Sequence, residues 1–292
     1  MGNKDGKKLI TLIGTPLSQS FAARMQNKAY EAMGLDMEYF YTEAGNESLE
    51  KEISRVRNDD TFLGCAVTKP NKVEVLKYLD ELDPLCRKMG ACNTVVKRDG
   101  KLIGYNTDGI GFCTSVLNDA KFDIKGKSFY IIGAGGAGRA ISSVLAYFGA
   151  GKIYITDIIE SRSEELVHDI NENFAPLEQP VAHKTDSGDF GPISECCMVI
   201  NASGVGMGET EGETPLPAQA IRKDKFYFDA CYNPEKTQFL LNAEKAGCRI
   251  MNGLDMSLYQ GVKQIKLWTG KDAPEEIMRD ELKRIIIEKQ EG

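Results

Sequence analysis

Two groups of residues in this chain have the types and spacing to do chemistry. The first is the run I-I-G-A-G-G-A-G-R-A from Ile131 to Ala140. Gly133, Gly135 and Gly138 make G-x-G-x-x-G, with Gly136 and Ala137 inside it. Between a strand and a helix, such a loop lets the backbone turn tightly and approach a pyrophosphate, while the helix N-terminus offers free N–H groups. Asp157 stands where the next strand ends. A carboxylate there accepts hydrogen bonds from ribose hydroxyls and repels a 2′-phosphate. Ile158 follows it, where an arginine would favour the phosphate. The pattern predicts NAD as cofactor and disfavours NADP, although Arg162 and Lys184 supply later cations. A cap for the following helix is the alternative role for Asp157.

The second group must supply proton chemistry, because oxidising an alcohol by hydride transfer requires a group to take the hydroxyl proton. The chain has only two histidines, His168 and His183, both in the glycine-loop half and both expected at the surface. Tyr259 and Lys263 form Y-x-x-x-K, the spacing of short-chain dehydrogenases. Those proteins carry the glycine loop near the N-terminus, whereas here it lies mid-chain, so packing on one helix face is the better reading. What remains is V-T-K-P-N-K (Val67 to Lys72), G-A-C-N-T (Gly90 to Thr94) and G-Y-N-T-D-G (Gly104 to Gly109). Each lies at the edge of a predicted strand, where α/β folds bind ligands. Lys72, Asn93 and Asp108 can converge there. Singly, each has a plainer alternative: an exposed helix lysine, a turn residue and a helix N-cap.

The elements that position these residues alternate as an α/β protein requires. Leu9 to Ile13 reads as a strand, Ala22 to Met33 as a helix closed by Gly34, and Met37 to Thr42 as a strand. Ser48 to Arg57 reads as a helix with Ser48 as its N-cap. Phe62 to Val67 is a short buried strand, and Pro70 is expected to open a helix. Asp99-Gly100 predicts a hairpin joining strands Asn93 to Lys97 and Lys101 to Tyr105. The pattern restarts at Lys127 with strands at Ser128 to Ile132, Lys152 to Thr156, Met198 to Ile200 and Phe226 to Asp229. Helices fall between them at Ala137 to Phe148 and Glu164 to Asn173. Gly206 to Pro217 reads as an exposed excursion, and helix follows Leu254 to the end. The predicted fold class is α/β with two α/β domains. Residues 1–110 form a substrate-binding and catalytic domain, and 111–254 a Rossmann-type doubly wound dinucleotide-binding domain. Residues 255–292 form helices returning to the first domain.

The bulk properties bound the function. The 292 residues exceed one ordinary core and suit two domains. A hydrophobic content of 42%, a charged content of 27% and a net charge of −7 fit a globular protein whose partner is neither nucleic acid nor an anionic membrane. The eight cysteines include no C-x-x-C pair, so no metal site is expected and the thiols should be reduced. Met1 to Ile13 is too short an apolar run for a signal segment or a membrane span, which predicts a cytoplasmic protein. A monomer or homodimer acting on a small molecule fits these properties.

These motifs together make the chain resemble the shikimate dehydrogenase family, particularly its quinate/shikimate branch. The resemblance extends over nearly the whole length. It adds I-G-T-P-L-S-Q-S near the start, N-A-S-G-V-G-M (Asn201 to Met207), Y-N-P (Tyr232 to Pro234) and Q-G-V-K-Q-I-K-L-W-T-G (Gln260 to Gly270). It implies oxidation of a ring hydroxyl of shikimate or quinate to a ketone, with a nicotinamide cofactor reduced. It implies Lys72 and Asp108 as the catalytic pair, with Lys72 acting either as the base or as a cation that orients the hydroxyl. It also implies Ser20, Thr68, Asn93, Tyr232 and Gln260 as substrate contacts, and Ser203 and Gly253 beside the glycine loop as cofactor contacts. Three departures bear on substrate. The usual S-x-S is Ser20 and Ala22, the asparagine before V-T-x-P is Ala66, and the usual G-x-G-M is Gly253-Leu254-Asp255-Met256. Two further readings follow: the same chemistry on a non-standard cyclitol, or a nucleotide-binding regulator without turnover. The intact Lys72 and Asp108 argue against the second.

Overall fold

The alternation of apolar strands with amphipathic helices resolves into two separate sheets. The structure is a computed structural model and describes residues 6–174 and 181–291. It divides into two units, Met1–Gly111 with Ser257–Gly292, and Phe112–Met256.

The first unit contains β1 (Lys8–Gly14), α1 (Ala22–Ala32), β2 (Met37–Glu43), α2 (Asn46–Asn58), β3 (Phe62–Val67), β4 (Glu81–Leu82), α3 (Pro84–Met89), β5 (Thr94–Arg98) and β6 (Lys101–Tyr105). The sheet order is β2-β1-β3-β5-β6-β4. β1 runs parallel to β2 and β3, while β5 pairs antiparallel with β3 and β6. The β5–β6 hairpin turns at Asp99 and Gly100, both at positive φ (52° and 76°), the two-residue turn that Asp-Gly favours. Ile13, Leu49, Ile53, Phe62, Val67 and Val95 are buried together between α2 and the sheet. Gly64 (φ +149°) is needed where it stands, because a Cβ there would lie 2.0 Å from the Val95 carbonyl oxygen.

α4 (Asp108–Asn118) carries the chain into the second unit. There lie β7 (Ser128–Ile132), α5 (Gly136–Tyr147), β8 (Lys152–Thr156), α6 (Glu160–Phe174), β9 (Ala182–Lys184), β10 (Met198–Asn201), β11 (Phe226–Asp229), α7 (Gln238–Lys245) and β12 (Arg249–Met251). The sheet is parallel throughout, in the order β12-β11-β10-β7-β8-β9. This is a doubly wound Rossmann-type sheet, and its order reverses between β7 and β10, the place where such sheets bind ligands. α8 (Leu254–Thr269) leads back, and α9 (Glu275–Glu291) packs on α1. Arg24 of α1 donates to Glu281 of α9 at 2.7 Å, and Trp268 of α8 donates its indole N–H to the Val95 carbonyl at 3.0 Å.

Several local expectations are corrected. Pro70 opens no α-helix: residues 69–73 form a turn, closed by Asn71 N–H to the Thr68 carbonyl, and a short 3₁₀ segment follows at Glu74–Tyr78. Buried Asn71 holds that turn by donating to the Ala44 carbonyl at 2.8 Å. Ser48 is not the cap of α2, which starts two residues earlier, at Asn46 after Gly45. The excursion from Gly206 to Pro217 is anchored by Leu216, which is fully buried beside Tyr227 and Phe239. Among the described residues no helix is long and apolar enough to cross a membrane, and all eight cysteines are free thiols.

Candidate active site

The first unit gathers a buried polar cluster at the ends of its central strands. Lys72 lies in the segment after β3, Asn93 immediately precedes β5, and Asp108 is the first residue of α4. Lys72 Nζ donates to Asp108 Oδ2 at 2.6 Å, and Asn93 Nδ2 donates to Asp108 Oδ1 at 2.9 Å. The Asp108 side chain is 5% exposed and that of Lys72 18%, so the ion pair is largely withdrawn from water but accessible on the lysine side. In so dry a setting the pair persists only if its remaining polar atoms are satisfied. Asn93 meets that need: it donates to Asp108, and its Oδ1 accepts Thr107 N–H at 2.7 Å and the Thr94 hydroxyl at 2.9 Å. Those acceptances fix the amide with its NH₂ toward the carboxylate.

Asp108 does not cap α4. Asn106 does, its Oδ1 accepting the N–H groups of Asp108 and Gly109 at 3.2 and 3.4 Å. The Asp108 carboxylate is thereby free for Lys72 and Asn93, and sits at the positive end of the helix. Lys72 is not an exposed helix lysine and Asn93 is no mere turn residue. Gln260 of α8 joins the cluster, its Oε1 accepting from Asn93 at 3.2 Å. Ser20 lies before α1, where its Oγ accepts Ala22 N–H at 3.3 Å. Thr68 is half-buried just after β3, with its N–H on the Ile13 carbonyl. Tyr232 is half-buried in the second unit, in the loop after β11.

Sequence reasoning missed a second polar layer. Gln264 donates to Thr94 Oγ1 at 3.0 Å and accepts from buried Gln26 at 3.1 Å. The Gln260/Gln264 spacing of one helical turn was the available signal. Asn106, whose side-chain oxygen takes the first free N–H groups of α4, went unread as well.

In the second unit the glycine loop is shaped by close approach. Gly133 (φ +105°) lies so near the segment after β10 that a Cβ would meet Ser203 N at 2.6 Å, and a Cβ on Gly138 would meet the Gly133 carbonyl oxygen at 1.8 Å. Around a Cβ on Gly135, by contrast, nothing lies within 4 Å. α5 begins at Gly136 with no side-chain cap, and in its first turn Gly136 and Ala137 are half-exposed while Gly138 is buried. Such a cradle fits a dinucleotide pyrophosphate. Ser203 is exposed beside it, its hydroxyl on Asn201 Oδ1 at 2.6 Å. Gly253 is buried, and a Cβ would lie 2.2 Å from the Ala230 carbonyl oxygen, so close backbone packing requires this glycine.

Of the other candidates, His168 is exposed and His183 half-buried, tilted against the Tyr154 ring at 5.5 Å. Tyr259 and Lys263 share no site: the Tyr259 hydroxyl accepts from Arg279 at 3.1 Å, while Lys263 is exposed. Among the described residues no three His, Cys, Asp or Glu side chains are grouped to hold a metal ion.

Comparison with known proteins identifies the family. The family model described as "Shikimate dehydrogenase substrate binding domain" matches residues 12–95, and "Shikimate 5'-dehydrogenase C-terminal domain" matches residues 253–283. A shikimate dehydrogenase (NADP(+)) of Moorella thermoacetica is 38% identical over 92% of this chain and 90% of its own. One from Desulforamulus reducens is 37% identical over 94% of each. Among solved structures, a Listeria monocytogenes shikimate 5-dehydrogenase in complex with shikimate and NAD is 36% identical, with a TM-score of 0.86 over 96% of this chain and 98% of that one. A shikimate dehydrogenase in complex with NADP+ is 34% identical, with a TM-score of 0.89 over 98% of each. A quinate dehydrogenase of Corynebacterium glutamicum in complex with NAD is 28% identical, with a TM-score of 0.86 over 95% of this chain and 99% of that one.

The expectation of NAD with NADP disfavoured is overturned. Curated relatives are named NADP(+) enzymes, and two of the neighbouring structures are complexes with NADP+ or NADP(H). The geometry supplies the physical reason. Asp157 Oδ2 accepts Ala134 N–H at 2.7 Å and Oδ1 accepts Ile159 N–H at 2.9 Å. This carboxylate ties the glycine loop to the end of β8, so its presence alone does not set the cofactor.

Proposed function

The chain belongs to the shikimate dehydrogenase family, whose members are oxidoreductases acting on a CH–OH group, and from that premise we propose that it interconverts a ring hydroxyl and a ketone on shikimate or quinate with NADP. The observation that carries this reading is the buried Lys72–Asp108–Asn93 cluster. The first unit would hold the substrate and the second the nucleotide. When bound, the nicotinamide ring supplies the acceptor for the carbinol hydride.

The remaining work belongs to the chain's own side chains. Lys72 would orient the reacting hydroxyl with its ammonium, and as that hydroxyl gives up its proton Lys72 would take it while passing one of its own to Asp108 Oδ2. Asn93 keeps Asp108 turned toward Lys72. Gln260 and Thr68 would contact the ring hydroxyls and Ser20 the substrate carboxylate, and Tyr232 is the further substrate contact that the family resemblance implies. On the nucleotide side the roles fall to Gly133, Gly135, Gly136, Ala137, Gly138, Ser203 and Gly253, with Asp157 bracing the loop.

A second reading, a cyclitol without a carboxylate, is favoured by Ala22, which places a methyl where the family carries a hydroxyl. One experiment separates the two: steady-state reduction of NADP with shikimate, quinate and a panel of neutral cyclitols. Turnover on shikimate or quinate supports the first reading. Turnover on neutral cyclitols alone replaces it with the second, and none on any of them contradicts both.

A further inference from the structure

Asp229 closes β11 at 0% exposure and has no part in the proton chemistry described above. Its two oxygens collect donors from three places in the chain. Oδ1 accepts Asn201 Nδ2 and Cys231 N–H, both at 2.9 Å, and Oδ2 accepts the Thr237 hydroxyl at 2.5 Å. Asn201 is the residue opposite Asp229 in the β10–β11 register and is also fully buried. Its amide is committed on every side. The NH₂ group also reaches the Val205 carbonyl at 2.9 Å, and Oδ1 accepts Ser203 N–H at 3.1 Å and the Ser203 hydroxyl at 2.6 Å. Thr237, 1% exposed, caps α7 through Leu240 N–H.

The consequence is a linkage between two loops. Residues 202–206 follow β10 and residues 230–237 follow β11; Asp229 holds the second directly and the first through Asn201. The first borders the glycine loop, since Ser203 N is what a Cβ on Gly133 would strike. The second carries Tyr232, and through the Cys231 carbonyl it takes the Gly253 N–H at 3.0 Å. A buried carboxylate is costly unless its oxygens are well supplied with donors. Here three donors, one from β10 and two from the loop after β11, converge on it, and no neutral side chain accepts at two oxygens in this way.

We infer that Asp229 is a positioning residue: its carboxylate clamps the Ser203 loop to the Tyr232 loop and so fixes the nucleotide side of the site for binding. The inference rests on the dehydrogenase reading proposed above for the role of that site.

The test combines amide hydrogen exchange with titration by NADPH, so that one readout needs neither cofactor nor turnover. Asp229→Asn should speed exchange at the Ser203 and Cys231 amides and weaken NADPH binding by roughly tenfold or more, because the neutral amide accepts through one oxygen instead of two and gives up the charge-assisted bonds. Thr237→Val should reproduce both effects and Thr237→Ser should leave both near wild type. A folded Asp229→Asn protein with wild-type protection and NADPH affinity overturns the proposal. If that variant fails to fold, wild-type behaviour of Thr237→Val overturns it instead. Should wild type turn over neither shikimate nor quinate while these variants lose protection and NADPH affinity, the substrate reading fails and the clamp stands.

Discussion

Asp108 holds Lys72 with one carboxylate oxygen, at 2.6 Å, and Asn93 with the other, at 2.9 Å. The carboxylate therefore has no freedom to turn, and the lysine it holds is the more exposed partner. A rigid acceptor behind an accessible cation suits a group that must meet a hydroxyl in one geometry.

Removing Asn93 tests that rigidity. Asn93→Ala deletes the donor to Asp108 and leaves part of a buried carboxylate unsatisfied, a cost of roughly 1.5–3 kcal/mol for a bond to a charged group. The expected result is a fall in kcat of one to two orders of magnitude, with NADPH affinity unchanged. An unchanged kcat would show that Lys72 alone orients Asp108.

Ala22 opens α1, and its N–H is bonded to Ser20 Oγ. Ala22→Ser adds a hydroxyl beside Ser20. For a substrate carboxylate reaching Ser20, KM should fall by roughly tenfold with little change in kcat. No change with shikimate or quinate would remove the carboxylate from this position.

Burial pushes the Asp229 carboxyl up to about 6, against an ordinary 3.8, while the hydrogen bonds from Thr237, Cys231 and Asn201 pull it back. Between those values the folded protein keeps a proton that the unfolded chain has released. The contribution of Asp229 to stability therefore falls as pH rises from 3.8 to about 6, and is level above that. The span is worth roughly 1–3 kcal/mol. Urea unfolding at about pH 4.5 and about pH 7 should show this slope in wild type and its loss in Asp229→Asn. An identical pH slope in the two proteins would contradict the raised value.

Cofactor preference follows the corrected reading. The specificity constant for NADP should exceed that for NAD on the same substrate. Because Asp157 is bonded to Ala134 and Ile159, Asp157→Ala should weaken the glycine loop toward both cofactors. A loss confined to NAD would return the carboxylate to a ribose contact.

The sequence was informative wherever one residue type meets one geometric demand. Gly133 and Gly138 are legible because backbone packs where a Cβ would be, and Asp99-Gly100 because the hairpin turn needs positive φ twice. β7, β8 and β11 are legible as short apolar runs. What failed depends on partners distant in sequence. Pro70 looked like a helix start, but Asn71 is held by Ala44, 27 residues earlier. Asp157 read as a ribose acceptor or a cap for the following helix, but each of its oxygens already takes a backbone N–H, from Ala134 and from Ile159. α3 went unread, because its six residues are too short to show periodicity, although Asp83 caps it by accepting Leu85 N–H just ahead of Pro84. Lys72, Asn93 and Asp108 stand out only as polar residues at strand ends, and their convergence needs the β3–β5–β6 order.

The most direct test of the account is the turnover of Lys72→Ala and Asp108→Asn beside wild type, with NADPH affinity measured on the same samples. A positioned acid–base pair contributes roughly 10²–10⁴ to kcat. Each variant should lose that much on the best of shikimate and quinate. NADPH affinity should hold, because both residues lie in the unit without the glycine loop. Near-wild-type turnover by Lys72→Ala would contradict the assignment of this pair to the chemistry.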